Sequence, residues 1–273
     1  MLGFIGGEGL MAEPTPKELV DLGMLSYDKQ DFSKARKYFE KACELKDGGG
    51  CFNLGRLYYY GEGVEKDFKK AFALFEKACD LNNGGGCFRL GVLYEYGQGV
   101  EKDLIKAAYF YSKACDLKYG GGCGNFGVLY QKGEGVEKNL TKAAYLYSKA
   151  CDLKYGGGCG NLGVLYQKGE GVEKNLTKAA YLYSKACELK DGLGCKDLGV
   201  LYYRGEGVEK NLIKAAYFYS KACELKESFG CGALAVLYIN GQGVEKNLTK
   251  ADQYISKACK LGDQEACEAL KEK

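Results

Sequence analysis

The chain has 273 residues, of which 46% are hydrophobic and 27% charged, and its net charge of +3 is spread along the length with no basic block. These values argue against disorder and against a nucleic-acid partner. Histidine is absent, which removes the commonest general base and the commonest metal ligand, and no apolar run is long enough to enter a membrane.

In chain order, residues 1–15 come first, and their opening MLGFIGGEGLMA ends in Leu10-Met11-Ala12, a fit to a signal-peptidase site before Glu13. A basic leader is missing and Glu8 and several glycines break the apolar stretch, so 1–15 reads as a remnant or damaged signal segment without stable structure. The only prolines, Pro14 and Pro16, precede the first repeat and leave the remainder open to uninterrupted helix. Residues 16–50 read as an N-terminal helix hairpin, tighter than those that follow because Asp28 to Asp31 stands where later units carry a longer glycine loop.

From there a 36-residue period governs the chain, marked by seven C-x7-C pairs. They are Cys43 with Cys51, Cys79 with Cys87, Cys115 with Cys123, Cys151 with Cys159, Cys187 with Cys195, Cys223 with Cys231, and Cys259 with Cys267. A fixed period of this length marks a solenoid whose units bury apolar faces only against their neighbours. Six such repeats occupy 51–266, and 267–273 reads as a C-terminal cap. The even count reads as one disulfide per repeat, with free buried thiols as the alternative. Metal is disfavoured because zinc sites use C-x2-4-C pairs, often with histidine.

One repeat, Cys123 to Gly158, shows the plan. Cys123, Phe126, Gly127 and Tyr130 fall at i, i+3, i+4 and i+7 and predict a first helix, A. GEGVEK supplies glycines for positive φ, and Asn139 is an N-cap for a second helix, B, from Leu140 to about Leu153. Leu140, Ala143, Ala144, Tyr147, Ala150 and Cys151 should face inward, and the tract YGGG should end helix B and turn the chain. Asp67, Asp103, Asn139, Asn175, Asn211 and Asn247 occupy the same cap position. Gly55, Gly91, Gly127, Gly163 and Gly199 recur on the helix A stripe and suggest close backbone approach.

The recurring string A-x6-A-C-x-L-x5-C-x2-L-G-x-L-Y-x2-G-x-G-V-x-K-[DN] resembles the Sel-1-like repeat, a relative of the tetratricopeptide repeat with a longer loop in each hairpin. Its C-x7-C pairs are similar to those of the Helicobacter cysteine-rich proteins. The resemblance implies an all-α, right-handed superhelical solenoid of seven antiparallel helix hairpins plus a C-terminal capping stub. It further implies disulfides within each C-x7-C pair and a secreted or periplasmic bacterial protein. Members of that group have been described as penicillin-binding proteins with weak β-lactamase activity, and as secreted factors that meet host cells.

The face of helix A opposite the core stripe is the candidate binding surface. It carries Asn53, Arg56, Arg89, Asn125, Asn161 and Asp197, joined by Val128, Gln131, Val164, Gln167, Val200 and Tyr203. Amides can pair with an extended peptide backbone while valine and tyrosine supply apolar contact, and a merely solvated face is the alternative. The tyrosines raise carbohydrate or aromatic-ligand binding as one reading, but most recur at the stripe positions, Tyr111, Tyr147, Tyr183 and Tyr219 among them, and core packing is the better one. Ser26-x-x-Lys29 matches the S-x-x-K string of penicillin-binding enzymes, but neither K-T-G nor S-D-N accompanies it. The sequence therefore points to a monomeric, disulfide-stapled scaffold that binds a peptide or protein, without cofactor or metal and with no catalytic residue assigned. The alternative is a penicillin-binding protein with weak β-lactamase activity.

Overall fold

The 36-residue period resolves into pairs of thirteen-residue helices. The structure is a computed structural model that describes residues 13–271; of the expected signal remnant at 1–15, residues 1–12 lie outside them, and Thr15, expected to lack stable structure, caps the first helix through Glu18. Fifteen helices and no strand occur among the described residues. The chain divides into two units, residues 1–102 and 103–273. In the first unit α1 (Pro16–Asp28), α2 (Phe32–Glu44), α3 (Gly48–Tyr60), α4 (Phe68–Asp80) and α5 (Gly84–Tyr96) follow one another. The second holds α6 (Leu104–Asp116), α7 (Gly120–Lys132), α8 (Leu140–Asp152), α9 (Gly156–Lys168) and α10 (Leu176–Glu188). It continues with α11 (Gly192–Arg204), α12 (Leu212–Glu224), α13 (Ser228–Asn240), α14 (Leu248–Lys260) and the eight-residue α15 (Gln264–Lys271). From α3 to α14, odd-numbered helices are the A helices and even-numbered ones the B helices.

Each B helix begins where a cap residue was expected. Asn139 Oδ1 accepts from Lys142 N at 2.9 Å and Asp67 Oδ1 from Lys70 N at 3.0 Å, and Asp103, Asn175, Asn211 and Asn247 repeat the bond. Such a cap satisfies one backbone donor that the helix cannot. The loop from A to B turns on paired left-handed glycines, for instance Gly133 at φ +75° and Gly135 at φ +70°.

The end of helix B differs from expectation. The tract Gly156-Gly157-Gly158 does not form the turn; it is the first turn of α9. The left-handed residue is Lys154, at φ +63°, with Lys46, Asn82, Lys118, Lys190 and Lys226 in the same role. Around it Lys154 N donates to Cys151 O and Tyr155 N to Ala150 O, both at 3.0 Å, a Schellman closure built on lysine where glycine is usual. The glycines are needed for contact instead. A Cβ on Gly158 would stand 2.5 Å from Ala150 Cβ and 3.0 Å from the backbone of Cys151, and Gly50, Gly86, Gly122, Gly194 and Gly230 meet the same obstruction. Close backbone approach thus occurs here. Stripe glycines Gly55, Gly127, Gly163 and Gly199 lie instead against rings: a Cβ on Gly127 would meet Tyr147 at 2.7 Å, and Gly163 faces Tyr183 likewise.

This junction is also where the sulfurs lie. In the first unit Cys43 is bonded to Cys51 and Cys79 to Cys87. In the second, Cys115 is bonded to Cys123, Cys151 to Cys159, Cys187 to Cys195, Cys223 to Cys231 and Cys259 to Cys267. All seven expected pairs are therefore disulfides, with Cα separations of 4.5–4.7 Å, and no described cysteine is free. Closing so short a loop stabilises by about 2.5 kcal/mol per bond on the chain-entropy account. The second cysteine of each of the first six pairs, Cys51, Cys87, Cys123, Cys159, Cys195 and Cys231, is fully buried on an A helix, and Cys267 ties α15 to α14. The free-thiol alternative is thereby set aside, and these cysteines are staples at the junction, buried in the first six pairs and half-buried at Cys259 and Cys267.

Ala143, Tyr147, Cys159, Leu165 and Ala186 belong to one core cluster. Leu57, Leu93, Leu129, Leu165, Leu201 and Leu237 are as buried as any residue, although the expected stripe on helix A omitted that position. Tyr111, Tyr147, Tyr183 and Tyr219 are core, as expected.

Candidate functional site

The A-helix face is described separately in each unit. In the first unit its polar side chains are already engaged with one another. Asn53 Nδ2 donates to Gly49 O at 3.0 Å, and Asn53 Oδ1 accepts from Arg56 at 3.2 Å. The Arg56 guanidinium lies 5.5 Å from the Tyr27 ring centroid. Arg89 donates to the Tyr60 hydroxyl at 3.0 Å and stacks near Tyr59 and Phe88.

The second unit is different. Asn125 on α7 and Asn161 on α9 are half-buried, and their amides make no hydrogen bond among the described residues. Valine stands three residues on in both copies, at Val128 and Val164, and cannot take up the amide as Arg56 does. Gln131 and Gln167, expected beside them, serve the core: each accepts a 2.6 Å hydrogen bond from a buried tyrosine, Tyr147 or Tyr183. Burial pushes both of these phenols well above their ordinary range.

Asp197 on α11 occupies the position of the two asparagines. Burial raises its carboxyl pKa, while Lys196 at 3.1 Å lowers it and Asp191 raises it further. Beyond it, Val200, Tyr203, Phe229, Ala233 and Val236 line an apolar cavity of about 220 Å³ between α11 and α13. Phe229 and Val236 are about half exposed, so the second unit's face passes from open amides to an apolar socket.

Ser26 and Lys29 of the S-x-x-K string line one cavity of about 160 Å³ with Lys34 and Tyr38. Ser26 is buried and its hydroxyl donates to Leu22 O at 2.9 Å within α1, while Lys29 is the exposed C-cap. Among the described residues no group of three or more histidine, cysteine, aspartate or glutamate side chains could hold a metal ion. No described helix is long and apolar enough to cross a membrane.

Helix pairs joined by a left-handed glycine loop, stacked by small residues and stapled hairpin to hairpin, define a helical-repeat scaffold of the all-α superhelical class. The chain belongs to the Sel1 repeat family, whose model matches residues 23–47, 49–83, 85–119, 123–155, 158–191, 193–227 and 228–263. It is similar to HcpC of Helicobacter pylori (strain J99), 66% identical over 65 residues, or 24% of this chain and 22% of that protein. Beta-lactamase HcpA of the same strain is 58% identical over 65 residues, covering 24% of this chain and 26% of the relative. The matched part is thus about a quarter of either relative's length. Among solved structures, the Sel1 repeat protein of Oxalobacter formigenes has a TM-score of 0.76 at 26% identity, covering 88% of this chain and 96% of that one.

Proposed function

We propose that this protein is a non-catalytic scaffold that binds an extended peptide, or an extended segment of a protein, along the A-helix face of its second unit. The open amides of Asn125 and Asn161 carry the reading. A half-buried amide without a partner gains a donor and an acceptor when a peptide backbone lies beside it, and it costs little to desolvate because it is already partly shielded. Val128 and Val164 supply apolar contact, and the socket at Val200, Phe229 and Val236 suits one large apolar side chain. The seven disulfides support residence in an oxidising compartment, secreted or periplasmic. The β-lactamase names belong to HcpA and HcpC; in this chain the Ser26 hydroxyl is held by a backbone carbonyl, and this reading assigns no side chain a catalytic role.

Peptides selected from a displayed random library against the folded, oxidised protein test the proposal. They should share a large apolar residue and lose at least about tenfold in affinity when Asn125→Ala and Asn161→Ala are combined, the order of two lost hydrogen bonds. Selected peptides that bind the double variant as tightly as the parent would refute it.

A further inference from the structure

The B helices of the second unit repeat a tyrosine–lysine pattern whose tyrosines core packing leaves exposed, although its first lysines, Lys142, Lys178 and Lys214, lie over the A-helix rings of Tyr130, Tyr166 and Tyr202. In α6, α8, α10 and α12 the string K-x-x-Y-x-x-x-K places Tyr109, Tyr145, Tyr181 and Tyr217 between lysines at i−3 and i+4. That spacing sets all three side chains on one helix face. The four tyrosines are 53–68% exposed, whereas those two residues further on are buried. Core packing therefore explains the second set and leaves the first unexplained.

Charge on this face is unbalanced. The four helices present eight such lysines against five carboxylates, Asp116, Asp152, Glu188 and Glu224 about two turns beyond each tyrosine and Asp103 at the cap of α6, 3.9 Å from Lys106. Lys149 and Asp116 approach to 3.8 Å across neighbouring B helices, which still leaves cations in excess. Three of the four helices are capped by the neutral Asn139, Asn175 and Asn211, so there the cap adds no compensating charge.

Between α8 and α10 this face opens into a cavity of about 450 Å³. Its walls bring together Tyr145, Tyr166, Tyr181, Lys178, Lys185, Thr141, Ser148 and Asp152 with the apolar Ala144, Leu162, Val172 and Leu182. Lys178 Nζ lies 2.6 Å from the Tyr166 hydroxyl and 4.2 Å from its ring centroid, and Lys185 Nζ lies 5.0 Å from the Tyr181 centroid. The volume falls within the roughly 300–1,000 Å³ of small-ligand sites.

From these observations we infer that the B-helix face of the second unit binds an acidic polysaccharide, with one or two uronic-acid rings seated in the cavity between α8 and α10. Each element of that ligand has its counterpart: the C–H face of a pyranose rests on an exposed tyrosine ring, sugar hydroxyls meet Thr141 and Ser148, and carboxylates meet the lysines. The recurrence of the tyrosine and its lysines in four successive hairpins matches a ligand whose own chemistry repeats. An anionic membrane would meet the same charge, but a concave cavity that sets aromatic and aliphatic side chains beside Thr141, Ser148 and two lysines suits a sugar ring, with its apolar C–H face and polar rim, better than a flat headgroup layer.

The test uses the full oxidised chain and isothermal titration with a long oligogalacturonate at low salt, beside polyglutamate of matched charge and vesicles containing phosphatidylglycerol. Oligogalacturonate should bind, and Tyr145→Ala combined with Tyr181→Ala should weaken it about tenfold or more with unchanged thermal stability, since aromatic contacts of this kind contribute on that scale. Lys178→Gln with Lys185→Gln should weaken it and flatten its salt dependence. Asn125→Ala with Asn161→Ala should leave it intact, which separates this site from the peptide face. No binding, equal binding of polyglutamate, preferential binding of the vesicles, or indifference to the tyrosine pair would each overturn the inference.

Discussion

Gly158→Ala and Gly160→Ala, two residues apart in one helix, should move stability in opposite directions. At Gly158 a new Cβ would lie 2.5 Å from Ala150 Cβ and 3.0 Å from both Cys151 N and Tyr147 O. Carbon atoms rest at about 3.5–4.0 Å, so α9 would have to back away from α8 by about 1 Å. Ala150 is fully buried, and the disulfide between Cys151 and Cys159, with its Cα atoms 4.6 Å apart, holds the two helices together at that point. Overpacking costs about 1–3 kcal/mol, and an obstruction made of backbone belongs at the upper end. Alanine returns about 1 kcal/mol of helix propensity, leaving a net loss of about 1–2 kcal/mol. At Gly160 the nearest atoms to a new Cβ are Asp191 Oδ1 at 3.6 Å and Ala186 Cβ at 3.9 Å, ordinary contacts. There the propensity gain stands almost alone, about 0.5–1 kcal/mol of stabilisation. Urea unfolding of the two oxidised variants, followed by circular dichroism, reads the difference directly. A Gly158→Ala protein as stable as the parent, or two shifts of the same sign, would refute close helix approach as the reason for the glycine tract.

Two further outcomes follow from the same junction and the core beside it. Cys151→Ala with Cys159→Ala should cost about 2.5 kcal/mol, because the pair closes a loop with a sequence separation of 8. Hydrogen exchange should place the loss in α8 and α9, since a repeat array transmits stability mainly between neighbours; protection unchanged there would contradict it. The second outcome concerns alkaline pH. Burial pushes the Tyr219 phenol up to about 12, with Tyr203 adding to the rise and Arg204 opposing it. An unfolded tyrosine ionises near 10, so the unfolded state releases its proton first. The stabilisation is complete below about pH 10 and disappears as pH climbs toward about 12. Tyrosinate absorbance should therefore show a late-ionising class that rises together with unfolding, and all tyrosines titrating near pH 10 in an intact fold would count against it.

The fold was legible where one solution is written many times. Asn139 and its equivalents mark the start of every B helix because an N-cap acts locally, through a side chain and backbone donors two or three residues away. The glycine tract was misread because glycine has two uses. A sequence shows that Gly156, Gly157 and Gly158 lack side chains, but a turn and a close helix contact both want that. The decision came from Lys154 accepting the left-handed conformation, which its residue type disfavours. The exposed tyrosines were missed for a geometric reason: in Y-x-Y the two rings are two residues apart on a helix and point to different faces. Tyr147 explains itself as core, and Tyr145 was hidden by its neighbour.

The candidate groove was legible only as a set of positions, because what each side chain is free to do depends on its neighbour across one helical turn. Asn53 and Asn125 occupy the same place in their repeats, yet the first is bound by Arg56 and the second faces Val128. Arginine at i+3 supplies the donor that the amide oxygen would otherwise seek from a ligand, whereas valine leaves the oxygen unclaimed and adds an apolar surface beside it. The same logic removes Gln131 and Gln167 from the groove. A tyrosine sixteen residues later in each repeat buries its ring and needs an acceptor for its hydroxyl, and the glutamine provides it. Where phenylalanine replaces that tyrosine, at Phe75, no hydroxyl must be satisfied and the A helix carries Tyr59, packed near Phe75, in place of glutamine. On the proposed reading, partner binding would depend on pairs of positions: an amide with valine beside it is available, and an amide or glutamine already matched inside the repeat is not.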